Sequence, residues 1–277
     1  KPYETVRETV AAALHHGANL LDVFMPGQEV RQNIVKALGG RRKDVLVQGH
    51  IGSTDINQQY DISRDLPTVK KYFEALLSLF GYIDFGMMFF IDSEDDYKGV
   101  FETGFVDYVE ALRQKGDIRH IGFSSHNPVI AARVVETRLP EIMMFSTNPA
   151  FHPPPPPIHV LERLEPPREA AIHGTAPVRA RPYCLCEHRG AVIAVMKTYG
   201  AAKLPPAEHT PFAKPLTEVQ CIQYALDRPA VAAVLPGCGS AAEVEAAMAY
   251  LGATEEQRDY AEMLQTAPNA LAGSCVD

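Results

Sequence analysis

Acids, imidazoles and hydroxyls recur where apolar runs of this sequence end. Asn19-Leu20-Leu21 runs into Asp22, and Val-Phe-Met-Pro-Gly follows at once. Val45-Leu46-Val47 reaches His50-Ile51-Gly52, and residues 82–91, YIDFGMMFFI, end on Phe89 and Phe90 with Asp92 next. Residues 118–124 surface in Ser124-Ser125-His126-Asn127, and residues 142–148 surface in Asn148. Residues 191–196 end on Met196-Lys197, and the last run ends on Pro236-Gly237-Cys238-Gly239. A carboxylate beside an imidazole holds its tautomer and makes an acid–base pair. Asp22 with His50 is therefore the first candidate pair, and His126 is a second candidate acid. The stretch LPGCGSAAE is glycine-rich and opens a helix, so Gly237, Cys238 and Ser240 could present backbone N–H groups to a phosphate. Glu243 could instead cap that helix, and its charge would oppose a phosphate. Lys197 either supplies positive charge to a pyrophosphate or snorkels at the surface.

Such endings do chemistry together only if a fold brings them to one face. Val6, Val10, Ala13 and Leu14 mark a helix over residues 3–17, and a second helix over 29–38 stops at Gly39-Gly40. Leu66, Val69, Phe73, Leu76, Leu77 and Phe80 mark one face of a third, with Pro67 in its first turn. Helices over residues 100–115 and 128–138 follow. Capping-box spacing at Thr217–Gln220, Ser240–Glu243 and Thr254–Gln257 opens three more: to about Asp227, to about Leu251, and over about 254–266. Seven apolar strands alternate with these helices, which predicts a parallel sheet covered on both faces. No strand is followed by Gly-x-Gly-x-x-Gly, which argues against a dinucleotide-binding open sheet. In a barrel, chemistry gathers at the C-terminal strand ends, where these polar residues lie. The five-proline run Pro153–Pro157 interrupts the rhythm; residues 151–182 read as an exposed insertion or, alternatively, a docking site for a proline-binding partner.

Composition narrows the function classes. The chain has 277 residues, 46% of them hydrophobic, with a formal charge of −8. Its densest basic cluster, Arg41-Arg42-Lys43, is too small for a nucleic-acid platform. No apolar run reaches the ~18 residues of a membrane span, and no signal peptide is evident. The expected setting is cytoplasmic. Five cysteines, at 184, 186, 221, 238 and 275, form no compact framework, as suits a reducing compartment.

The strand ends, in this order, carry a resemblance. GANLLD, KALGGRRKDVLVQGH, GYIDFGMMFFID, GDIRHIGFSSHN, NPAF, VMKTYGAAKL and VLPGCGSAAEV resemble the aldo/keto reductase superfamily along nearly the whole chain. The likeness is closest to a subgroup ending in a ferredoxin-like cysteine motif. It implies a single domain over 1–277 with a TIM (β/α)8-type barrel, here lacking the N-terminal hairpin and first strand. It also implies NAD(P)H-dependent hydride transfer to or from a small-molecule carbonyl. GSCVD resembles the start of the cysteine motif, but Cys275 alone cannot hold a 4Fe–4S cluster, which takes four ligands.

Of the family's tetrad, Asp22 falls on the Asp; the Tyr is absent from Val23–Gln28, the Lys position is His50 and the His position is Phe89. The resemblance places Ser124 and Ser125 at the cofactor carboxamide. The family Gln falls on Met144, the stacking Tyr on Met196, and the two cations for a 2′-phosphate on Gly237 and Glu243. Asn148, Lys197, Cys238 and Ser240 complete the candidate cofactor set. An acid at 243 makes NAD(H) a better match than NADP(H). Three expectations follow: an oxidoreductase with Asp22 and His50 as its acid–base pair; metal-assisted chemistry on Asp22, His50 and His126 with Asp92 in reserve; or a non-catalytic scaffold barrel. An open edge beside the strand ending at Asp22 predicts reduced stability or dimerisation through that edge.

Overall fold

The computed structural model describes residues 2–56, 60–149, 177–200, 204–205, 212 and 214–265. The proline run and Cys275 lie outside them. In chain order the elements are α1 (Tyr3–His15), β1 (Leu20–Val23), α2 (Gln28–Leu38), β2 (Leu46–Ile51), β3 (Ser53–Thr54), β4 (Asp61–Ile62) and α3 (Leu66–Phe80). Then come β5 (Ile83–Met88), α4 (Glu94–Phe101), α5 (Phe105–Lys115), β6 (Ile118–Ser125), α6 (Pro128–Glu136) and β7 (Ile142–Ser146). The last are α7 (Pro177–Arg189), β8 (Val192–Met196), α8 (Glu218–Leu226), β9 (Val231–Val234), α9 (Ala241–Met248), α10 (Glu255–Arg258) and α11 (Ala261–Gln265). Among the described residues no helix is long and apolar enough to cross a membrane. The chain divides into two compact units, residues 1–125, 139–142 and 238–245, and residues 126–138, 143–237 and 246–277.

The first unit is built on a row of parallel strands in the order β1-β2-β5-β6. Its inner strands are buried almost throughout, as their apolar sequences require. β1, the terminal strand of the row, is only half-buried. α3 starts where Asp65 accepts the Thr68 N–H and stops at Gly81, whose φ of 78° ends the helical run. Its buried face is Val69, Phe73, Leu76 and Phe80, each contributing ~1.5–3 kcal/mol of burial before chain entropy is charged. Gly49 allows this packing: a Cβ there would meet Leu76 Cδ2 at 2.6 Å. Because side chains alternate along a strand, Gly49 turns its helix-facing position empty and leaves Gln48 and His50 on the opposite face.

The structure departs from the sequence expectations in three places. Residues 100–115 are not one helix: Ser93 and Asp96 form a capping box that opens α4 earlier, and α5 begins after Gly104. A short antiparallel hairpin, β3–β4, follows β2 with no periodic signal in the sequence. The helix opened by Ser240 ends at Met248 and tightens into a 3-10 turn over Ala249–Gly252.

The second unit carries the strands β7-β8-β9 in that order, with β9 parallel to β8. Residues 177–182, expected as part of the insertion, belong to α7. Thr217 and Gln220 form the expected capping box of α8, and Thr254 and Gln257 that of α10. The helix expected over 254–266 is broken at Asp259, whose carbonyl accepts Gln220 Nε2 at 2.6 Å and whose side chain caps the Ala261 N–H. Cys221 packs with Leu204, Phe212 and Leu216.

Candidate active site

Parallel pairing sets Asp22 of β1 opposite Gln48 of β2. Gln48 and His50, two residues apart, lie on the same face, so both reach the Asp22 carboxylate. His50 Nε2 lies 2.7 Å from Asp22 Oδ1, and Gln48 Nε2 donates to the same oxygen at 3.1 Å. The His50 side chain is 1% exposed and that of Asp22 13%. The carboxylate accepts, so Nε2 carries a proton and the tautomer is fixed. His50 Nδ1 is buried without a hydrogen-bond partner. A buried polar atom left unpaired costs about 1–3 kcal/mol, and such costs concentrate where a ligand or reacting group completes the bond. The Phe89 ring stands edge-on to the imidazole, with centroids 5.2 Å apart and planes at 86°.

The segment after Asp22 is held by its carbonyls. Ser53 Oγ donates to the Phe24 carbonyl at 2.7 Å, and Arg31 Nε donates to the Met25 carbonyl at 3.0 Å. Arg31 also donates from Nη1 to the Tyr72 carbonyl on α3. It is 1% exposed. Burial lowers its pKa to about 10, against the opposing pull of Asp55 and Tyr72. The stretch with no Tyr is therefore a fixed turn between β1 and α2.

The exit of β5 is tied to β6. Ser124 Oγ accepts the Phe90 N–H at 2.9 Å, and Ser125 Oγ donates to Asp92 Oδ1 at 2.9 Å. Both serines are buried. Asp92 is thus joined to Ser125, while Asp22 is joined to His50. In the loop before α9, Glu243 Oε2 accepts the Gly239 N–H at 2.6 Å and Ser240 Oγ accepts the Glu243 N–H at 3.3 Å. The capping interaction runs to Gly239 rather than Ser240, and a carboxylate occupies a donor that a phosphate would use. Cys238, in the same loop, is a free thiol whose pKa is raised by burial and by Glu243.

The second unit holds the other candidates. Asn148 is buried and donates from Nδ2 to the Lys197 carbonyl at 3.0 Å. Lys197, just past β8, has a φ of 56°. His126 is half-buried ahead of α6, whose N-cap is Asn127 with Pro128 in the first turn. Gly237 has a φ of 73° and is open to solvent. Among the described residues no three His, Cys, Asp or Glu side chains gather to hold a metal ion, so the metal-assisted reading on Asp22, His50 and His126 finds no site there.

Gln48, Ser53 and Arg31 were not among the residues expected in the site. The spacing Gln48-x-His50 was the signal for the first, since it sets both on one strand face. Nothing local marks the other two.

Neither protein-family models nor curated protein sequences match the chain. Solved structures do. An aldo-keto reductase from Bacillus halodurans in its holo form superposes with a TM-score of 0.69 at 20% identity, over 97% of this chain and 89% of that one. A glycerol dehydrogenase from Gluconobacter oxydans gives 0.66 at 16% identity, over 99% and 90%. A protein from Pseudomonas aeruginosa described as an aldo-keto reductase gives 0.64 at 16% identity, over 91% and 86%. At such identities the likeness concerns architecture: the chain has the α/β barrel fold of the aldo-keto reductases, with β1, after α1, as the first strand among its described residues.

Proposed function

We propose that the chain is an oxidoreductase of aldo-keto reductase type, transferring hydride between a nicotinamide dinucleotide and a small-molecule carbonyl or alcohol, with Asp22 and His50 moving the proton. The observation that carries this reading is the 2.7 Å contact of His50 Nε2 with Asp22 Oδ1, with Nδ1 buried and without a hydrogen-bond partner. Fold alone would not suffice, since one fold hosts many activities. Reduced nicotinamide, when bound, would supply the hydride.

His50, doubly protonated, would give its Nδ1 proton to the oxygen of the reduced carbonyl and be left neutral, with Asp22 keeping the Nε2 proton in place. Phe89 excludes water from one side of the ring. Ser124 and Ser125 are the residues proposed for the carboxamide on the sequence resemblance, and Asn148, Lys197, Gly237, Cys238 and Ser240 remain its candidates for the rest of the cofactor. The Glu243 carboxylate on the Gly239 N–H suits a dinucleotide without a 2′-phosphate, so the reading favours NAD(H). The GSCVD terminus supports placement near the iron–sulfur subgroup, and the composition supports a cytoplasmic setting.

The test is titration with NADH and NADPH, followed by nicotinamide fluorescence, and then turnover of small aldehydes. NADH should bind, and His50→Gln should lower turnover by about 10²-fold or more, the usual worth of a positioned acid. Binding of neither nucleotide at millimolar concentration would sink the reading.

A further inference from the structure

Arg64 lies between β4 and α3, away from the Asp22 carboxylate in sequence, and belongs to no motif. Its side chain is 17% exposed. Nη2 donates to the Phe90 carbonyl at 2.9 Å and to Asp96 Oδ1 at 3.2 Å. Nε and Nη1 are buried without partners. Burial lowers the guanidinium pKa, partly opposed by Asp96.

Two glycines from different elements make room for it. A Cβ on Gly99 would meet Arg64 Cγ at 3.1 Å, and one on Gly52 would meet Nη1 at 3.1 Å. The recipient, Phe90, has a φ of 55°, a left-handed conformation that a bulky residue adopts at a cost of about 1–3 kcal/mol. Its N–H is held by Ser124 Oγ, and the flanking Phe89 and Ile91 N–H groups donate to the Ile51 and Ser124 carbonyls. Asp96, the second recipient, also accepts the Asp92 and Ser93 N–H groups that start α4.

Merely stopping a strand needs no desolvated cation, no pair of orphaned N–H donors and no reversed φ. The guanidinium and the reversed φ meet at Phe90, the residue after Phe89, and Phe89 is the ring that stands edge-on to His50. We infer that Arg64 is a positioning residue: by gripping the Phe90 carbonyl it fixes the Phe89 ring against the imidazole and so sets the orientation of His50. The inference rests on the reading of His50 as the proton carrier.

The experiment uses the full chain without nucleotide and reads the His50 ring by NMR, with its resonances assigned through their loss in His50→Gln. Phe89→Leu gives the shift of an imidazole without the neighbouring ring current. In Arg64→Met the His50 carbon-bound protons should move toward the Phe89→Leu positions. Arg64→Lys, which keeps the cation but not the two-acceptor reach, should fall between. Arg42→Met, removing a guanidinium at the opposite strand ends of the same unit, should leave them in place. Unchanged His50 resonances in Arg64→Met would overturn the inference. So would loss of fold in both Arg64 variants, which would make the residue a stability element. A shifted ring in a protein that binds neither nucleotide would keep the positioning role and discard the oxidoreductase reading.

Discussion

Asp84 and Asp22 are carboxylates on the same row of strands, one near the start of β5 and the other near the end of β1, and they are treated in opposite ways. Asp84, at the start of β5, accepts from Arg42 Nη2 at 2.9 Å, from Arg119 Nη1 at 2.8 Å and from the Val47 N–H at 2.9 Å. The two guanidinium groups also lie 4.1 and 4.2 Å from the centroid of the Tyr82 ring. Both of its oxygens are engaged and its side chain is 2% exposed. Asp22, at the end of β1, meets His50 and Gln48 through one oxygen, and the imidazole beyond it keeps a bare nitrogen. The carboxylate near a strand start is closed by its partners, and the one near a strand end is only partly enclosed. On the proposed function this division matches parallel barrels, whose reacting groups gather at the C-terminal strand ends.

The contrast can be broken by removing its closed side. Asp84→Ala leaves two cations and an N–H without their acceptor, and should cost ~3–5 kcal/mol in urea unfolding. A loss below about 1 kcal/mol would show that the two carboxylates are not energetically distinct. Gly49→Ala presses a methyl onto Leu76 on the helix side of His50 and should cost ~1–3 kcal/mol.

The second unit offers a pH test. Burial pushes the Cys186 and Cys221 thiols up to about 12 from an ordinary value of 9.0. Between these values the folded chain keeps protons that the unfolded chain releases, so stability should fall as pH rises above about 9, by ~1.4 kcal/mol per pH unit for each thiol. Unfolding midpoints at pH 8, 9.5 and 10.5 would show the slope, and Cys186→Ala with Cys221→Ala should flatten it. The smallest expected effect sharpens the comparison most. Asp22→Asn should change unfolding free energy by less than ~1 kcal/mol, because the amide can still hydrogen-bond to the imidazole and to Gln48. The same change should disturb the His50 tautomer, visible in its ring nitrogen shifts.

Much of the fold is legible in the sequence, for reasons that particular residues show. β5 reads as a strand because it is apolar on both faces, and α8 as a helix because Thr217 and Gln220 announce its start. The Asp22–His50 pair is legible because parallel neighbours put strand ends side by side. The hairpin β3–β4 is not, since two-residue strands show no periodicity. The break between α4 and α5 was hidden because Val100, Phe105, Val109 and Leu112 are all buried and read as one apolar series. Arg64 and Arg31 act on backbone carbonyls, which carry no residue identity and leave no mark in sequence. Glu243 was readable as a cap, but its reach to Gly239 depends on loop geometry.

β1 ends its row and is half-buried, where β2 and β5 are covered. Asp22 sits in that strand, so the water around the carboxylate depends on what lies along the strand's outer flank. A neighbour settling there would cover more of β1 and displace that water. Protein concentration, ordinarily a matter of handling, would then set how wet the carboxylate is.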